Sequence, residues 1–217
     1  MEFGEFVILL EKRLQLPLPG NEAQMRMSSL TRVRELMKQD PATTAVRSAV
    51  LLLLYPLNGN ICFVLMLRPE YPGVHSGQIS LPGGKLEESD LSLQDTALRE
   101  AQEEIGIDPA KIRIIGQLTD LYIPPSNFMV TPVVGFQRSQ PQFLADPGEV
   151  AAIIEVELGD LLDPLNVQLR EMKISNGMKL TAPAYCIGEN TIWGATAMIL
   201  SEFTAVLGDI LKNLPGN

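Results

Sequence analysis

The sequence predicts an α+β fold, an α/β/α sandwich built on a mixed β-sheet. Two observations carry this. Two apolar, β-rich runs, Ala49 to Tyr55 and Ile61 to Leu67, are separated by Leu57-Asn58-Gly59-Asn60, and Asn-Gly between such runs signals a hairpin. Further short strand patterns are interleaved with two long helical patterns, one ending at Gly106 and one spanning Gly194 to Leu214. Helices mixed with strands in this way bury their apolar stripes against sheet faces. The chain has 217 residues, enough for one domain with a real core, or one domain plus a small appendage.

The N-terminal part reads as that appendage. Phe6, Leu9, Leu10 and Leu14 suggest a short amphipathic helix, and Leu16-Pro17-Leu18-Pro19-Gly20 breaks it. A second helix is expected from about Ser28 to Gln39, ended by Asp40-Pro41. Residues 1–44 are therefore expected to form a helical N-terminal extension, and residues 45–217 the main domain. The extension packs on that domain or helps a second subunit dock, so a homodimer is one expectation. Met1 to Leu16 begins with acids and lacks a basic leader, which gives a cytoplasmic expectation.

Composition excludes several partners. Hydrophobic residues make up 46% and charged residues 20%, a globular balance, and the net charge is −9. Long nucleic acids and anionic membranes need a basic face, so neither is expected to bind. Cys62 and Cys186 make no disulfide framework or zinc site, and Cys62 in its apolar run reads as a small buried residue.

Along the main domain, Gln78 to Leu81 reads as a short strand entering a Pro82-Gly83-Gly84 turn. Strands are then expected at Ile112 to Leu118, at both ends of Leu121 to Val134 around Pro124-Pro125-Ser126-Asn127, and at Val150 to Leu158. Phe143 to Gly148 is a loop, and Leu161 to Pro164 a short helical turn. Gln168 to Ile174 and Lys179 to Ile187 form a hairpin around Ser175-Asn176-Gly177.

The chemistry is concentrated in the first long helix. Ser92 with Asp95 three residues on resembles a capping box, and Gly106 stops the helix. Ala97, Leu98, Ala101 and Ile105 make a core stripe. Glu100, Glu103 and Glu104 share a separate arc, about 100° wide. Three carboxylates that close repel one another. A hard divalent cation with oxygen ligands resolves that repulsion, and Mg²⁺ typically combines carboxylates with substrate phosphates and water.

Gly84, Asp90 and the run Arg99-Glu100-Ala101-Gln102-Glu103-Glu104-Ile105-Gly106-Ile107 resemble the Nudix box of diphosphate hydrolases. The second half matches that pattern at every specified position. Asp90 stands where the pattern has Glu, and the spacing from it to Arg99 is one residue longer. The resemblance implies a Nudix-type sandwich and Mg²⁺ or Mn²⁺ held by Glu100, Glu103, Glu104 and the Gly84 carbonyl. It implies that Arg99 orients a box glutamate. Glu103 then acts as both ligand and base, and Glu149, on the loop before a strand, is the candidate for an additional catalytic carboxylate.

Leu67-Arg68-Pro69-Glu70, His75 to Lys85 and Thr96 to Ala101 further resemble the coenzyme A diphosphatase branch. Pro72 and Gly73 depart from the Leu-Arg common there, and Ile192 to Ala197 resembles the entry to the family's final helix. Arg68 and Lys85 are the candidates for binding substrate phosphates. His75, the only histidine, reads as a structural residue. The implied substrate is a nucleoside diphosphate derivative, in first place coenzyme A, cleaved to phosphopantetheine and adenosine 3′,5′-bisphosphate. ADP-ribose or a related compound is the alternative within the enzyme class. A Nudix-fold sensor without turnover is the alternative outside it.

Overall fold

The computed structural model describes residues 1–29, 44–70, 76–173 and 179–214. In chain order the helices are α1 (Phe3–Leu14), α2 (Gly20–Met25), α3 (Leu93–Ile105), α4 (Leu158–Leu162) and α5 (Gly194–Lys212). The strands are β1 (Val46–Leu57), β2 (Asn60–Leu67), β3 (Ile79–Ser80), β4 (Gly83–Lys85), β5 (Arg113–Gln117), β6 (Leu121–Ile123), β7 (Phe128–Phe136), β8 (Ala152–Glu157), β9 (Val167–Lys173), β10 (Lys179–Ile187) and β11 (Asn190–Ile192).

Strand β1 organises the main sheet. Its residues Val46 to Leu54 pair in parallel with β7 on one side. On the other side its partner changes along its length: residues Ser48 to Val50 pair with β4, and Leu54 to Leu57 pair with β2, both antiparallel. Strand β2 in turn pairs with β3 and β8, and β7 with β5 and β6. A separate three-stranded sheet runs in the order β11-β10-β9.

The near-continuous apolar runs of β1 and β2 reflect burial on both faces. Leu52, Leu54, Phe63 and Leu65 face the core shared with α1 and α5. Leu51, Leu53, Tyr55, Cys62, Val64 and Met66 face the opposite core, closed by Ala97, Ala101 and Ile105 of α3. Alternation at a period of two thus sends successive residues to two different helix layers, giving the sandwich. Helix α5 is long and apolar enough to cross a bilayer by composition, but Met198, Leu200, Phe203 and Val206 are fully buried in the first core.

Helix α1 forms as expected and buries Phe6, Val7, Leu10 and Leu14. Arg13 ties it to Asp209 of α5 at 2.7 Å. The chain turns helical again sooner than expected, at Gly20, because tertiary contacts favour it: the Gly20 N–H donates to Glu202 at 3.0 Å, and the Ser201 hydroxyl to the Ala23 carbonyl at 2.7 Å. Ser28 and Ser29 are not helical, and the rest of the helix expected at Ser28 to Gln39 lies outside the described residues. So do Pro72, Gly73, His75 and the turn at Ser175-Asn176-Gly177.

A second expected element differs. Gly83 and Gly84 do not form a tight turn; with Lys85 they form β4, hydrogen-bonded to β1. Gly83 has φ 152°, and a Cβ there would overlap the Ala49 carbonyl and Val50. The glycine is needed because two backbones meet closely, a requirement that looks like a turn in sequence.

Candidate active site

The fork where β1 changes partner opens a cleft of about 350 Å³. Gly83, Gly84 and Lys85 come to it from β4, Arg68 from the end of β2, Glu100 and Glu104 from α3, and Glu149 from the loop before β8. Ile123, Phe128, Val130, Trp193 and Ile199 supply an apolar wall. The polar groups therefore arrive from four separate segments: β4, the end of β2, α3 and the loop before β8.

Helix α3 is set by both of its ends. The Ser92 hydroxyl accepts from the Asp95 N–H at 3.2 Å, and Gly106, with φ 69°, closes the helix in the left-handed region. Ala97, Ala101 and Ile105 fix its inner face, while Leu98 is only partly buried. This orientation buries Glu104, whose residue is 1% exposed. Its carboxylate accepts from the Gly83 N–H at 2.7 Å and lies 3.4 Å from the Arg68 guanidinium. Burial dominates over these two partners and pushes Glu104 up to about 7. Burial also raises Glu100, against the opposing pull of Arg99.

Arg99 is the clamp of the site. It binds the Asp90 carboxylate through Nε at 2.9 Å and a terminal nitrogen at 3.0 Å. It also reaches Glu100 and Glu103, each at 3.0 Å, and the Lys85 carbonyl at 2.9 Å. Asp90 thus lands on the guanidinium despite its shorter side chain and the longer loop. The hydrogen bonds from Arg99 hold its carboxyl well below the usual range, helped by the Glu87 N–H and the Thr96 hydroxyl. Gly84 lies against Glu100, where a Cβ would overlap the carboxylate.

The structure therefore brings Gly84, Glu100, Glu104, Glu149, Arg68 and Lys85 to one cleft. Glu103 is not among the residues lining it; its side chain is 57% exposed and pairs with Arg99. Among the described residues no three acids stand together closely enough to enclose an ion. The Arg99–Glu103 pair is exposed, and such pairs contribute no more than about 1 kcal/mol, so it is a weak tether for Glu103. The residues fit a hard divalent cation. Glu104 is a buried carboxylate with one N–H donor and one long contact to a cation. Glu100 and Glu149 add to its negative surroundings. Oxygen ligands with uncompensated negative charge are what Mg²⁺ or Mn²⁺ takes.

The apolar wall was not read from the sequence as part of the site. Phe128 and Trp193 come from β7 and the entry to α5. Only the fold brings them to one cleft with Glu100 and Glu104. Lys85 rests over the Phe128 ring, with Nζ 5.7 Å from its centroid.

Comparison with known proteins identifies the family. The NUDIX domain profile matches residues 45–174. The chain is 34% identical over 166 residues to Nudix hydrolase 15, mitochondrial, of Arabidopsis thaliana, a match covering 74% of this chain and 58% of that protein. It is 32% identical over 140 residues to the uncharacterized Nudix hydrolase NudL of Pectobacterium atrosepticum, covering 62% and 69%. Among solved structures, the Nudix hydrolase RenU of M. smegmatis superposes with a TM-score of 0.51 at 15% identity, over 76% of this chain and 88% of that one, a likeness of fold. On its matched domain, its box residues and its sandwich, the chain belongs to the Nudix hydrolase family.

Proposed function

We propose that the chain hydrolyses a diphosphate linkage in a nucleoside diphosphate derivative, and that coenzyme A is the preferred substrate. The observation that carries this is the joining of acids, cations and an apolar wall in a single cleft. Glu100, Glu104 and Glu149 lie with Arg68 and Lys85, and Trp193, Phe128 and Ile199 continue the surface. Diphosphate oxygens match the charged part, and a pantetheine arm matches the apolar part.

Glu100, Glu104 and the Gly84 carbonyl would hold Mg²⁺ or Mn²⁺, and Glu103 would join them on leaving its exposed pair with Arg99. The metal supplies positive charge for the phosphoryl oxygens and makes water more acidic. Arg99 holds Glu100 in place and is itself fixed by Asp90. Arg68 and Lys85 neutralise phosphate oxygens as charge develops on the leaving group. Glu149, exposed at the cleft, accepts a proton from the attacking water, with Glu103 as the second candidate for that role.

Coenzyme A carries a 3′-phosphate that dephospho-coenzyme A lacks. One charge-assisted contact contributes about 1.5–3 kcal/mol. Coenzyme A is therefore expected to show a kcat/KM at least about tenfold above that of dephospho-coenzyme A. Parallel kinetics on coenzyme A, dephospho-coenzyme A and ADP-ribose check this. Preference for ADP-ribose would replace the substrate and leave diphosphate hydrolysis standing.

A further inference from the structure

A second cavity of about 590 Å³ adjoins the cleft. Ile79 and Trp193 line both, so the two share a wall. Leu67 and Gly77 close one side, and the rest of its frame comes from the small sheet of β9, β10 and β11, which the chemistry described above does not use. Arg170 of β9 lines it, and its Nε donates to the Cys186 Sγ at 3.3 Å. Among the described residues Arg170 has no carboxylate within ion-pair distance. Glu171 next to it is already paired with Lys179 at 2.7 Å. Glu189, in the turn between β10 and β11, also lines the cavity.

An arginine on a strand, steered by one sulfur contact and left without an acid, presents its remaining N–H groups to the cavity. That fork suits a phosphate with two oxygens facing it. The half-buried Trp193 between the two cavities offers a flat apolar face to a base or ribose. We propose that this second cavity receives the phosphorylated ribose of the substrate, with Arg170 binding its 3′-phosphate and Trp193 forming the partition between that group and the diphosphate. This rests on the coenzyme A reading for the substrate's identity, and it assigns the specificity for the 3′-phosphate to β9.

Glu189 gives the proposal a second sign. Its carboxylate works against an anion in the same cavity, so removing its charge must strengthen phosphate binding if a phosphate binds there.

Trp193 is the sole tryptophan, so its fluorescence reports occupancy of the shared wall. The full chain is titrated with adenosine 3′,5′-bisphosphate and, separately, with adenosine 5′-monophosphate, without turnover. The native chain is expected to bind the bisphosphate at least about tenfold more tightly, the low end for one charge-assisted contact. Arg170→Ala should bring the ratio of the two affinities close to one, Arg170→Lys should keep part of it, and Glu189→Gln should widen it. Arg170 is exposed, and the lysine variant controls for folding. A ratio that survives Arg170→Ala, or a native chain that does not distinguish the two nucleotides, overturns the proposal. Because binding is read without hydrolysis, an Arg170-dependent ratio in a chain that fails to cleave coenzyme A would sink the catalytic reading alone. Cleavage of coenzyme A with a ratio indifferent to Arg170 would sink this one alone.

Discussion

Replacing Glu104 by glutamine is expected to lower kcat by about a thousandfold, or about 4 kcal/mol in barrier, the scale of a lost metal-held charge. The same change is expected to leave the thermal midpoint of the metal-free protein unchanged or higher. The two effects have one cause. Glu104 is 1% exposed, and among the described residues its charge is met only by the Gly83 N–H and a guanidinium at 3.4 Å. Burying an incompletely paired charge costs stability, and glutamine removes that cost while keeping an oxygen for Gly83. A carboxylate kept for packing would give the reverse pattern, with near-native rates and a lower midpoint. Steady-state kinetics with saturating Mg²⁺, beside thermal melts in chelator, separate the two.

The largest loss of stability is expected away from the cleft, at Glu202→Ala. Glu202 is fully buried in α5 and, among the described residues, pairs with no cation, yet it accepts from four neutral donors. These are the Gly20 N–H at 3.0 Å, the Gln24 amide at 2.9 Å, and the Thr119 N–H and hydroxyl at 3.2 and 2.6 Å. Alanine removes the desolvated charge, which is favourable, but strands all four donors, each costing about 1–3 kcal/mol. The stranded donors win, for a net loss of about 4 kcal/mol. At this chain length that lowers the midpoint by roughly 10 °C. Glutamine, which keeps one acceptor oxygen, should lose about half as much. Melts of the three proteins decide it. Equal midpoints would mean that the N-terminal segment is held without Glu202, by its apolar face, the Arg13–Asp209 pair and the Ser201–Ala23 hydrogen bond.

The same residue shows where sequence reading stops. Glu202 lies on a helix of otherwise apolar pattern, and its donors come from Gly20, Gln24 and Thr119. Nothing local announces that meeting. It also explains why α2 begins at Gly20, just after two prolines, where propensity argues against a helix. By contrast, β1, β2 and their turn were legible because continuous apolar runs with Asn-Gly between them are local signals. Helix α3 was legible through its cap, its Gly106 stop and its acidic arc. Gly83 and Gly84 were legible as essential glycines but not as a strand, because a turn and a close backbone pairing demand the same residue. The acids of the cleft could be named from the sequence. Its apolar wall and second cavity could not, because Phe128, Trp193 and Arg170 converge only through the order of the strands.

The central claim is that the carboxylates of α3 serve metal-dependent cleavage of a diphosphate. One measurement tests it most directly: incubation of the purified full chain with coenzyme A and Mg²⁺ or Mn²⁺, with and without chelator, and identification of the products by mass. The account predicts phosphopantetheine and adenosine 3′,5′-bisphosphate in equal amounts, formed only when a divalent cation is present. Product formation that persists in chelator would contradict it. So would the absence of cleavage of coenzyme A, dephospho-coenzyme A and ADP-ribose with either metal.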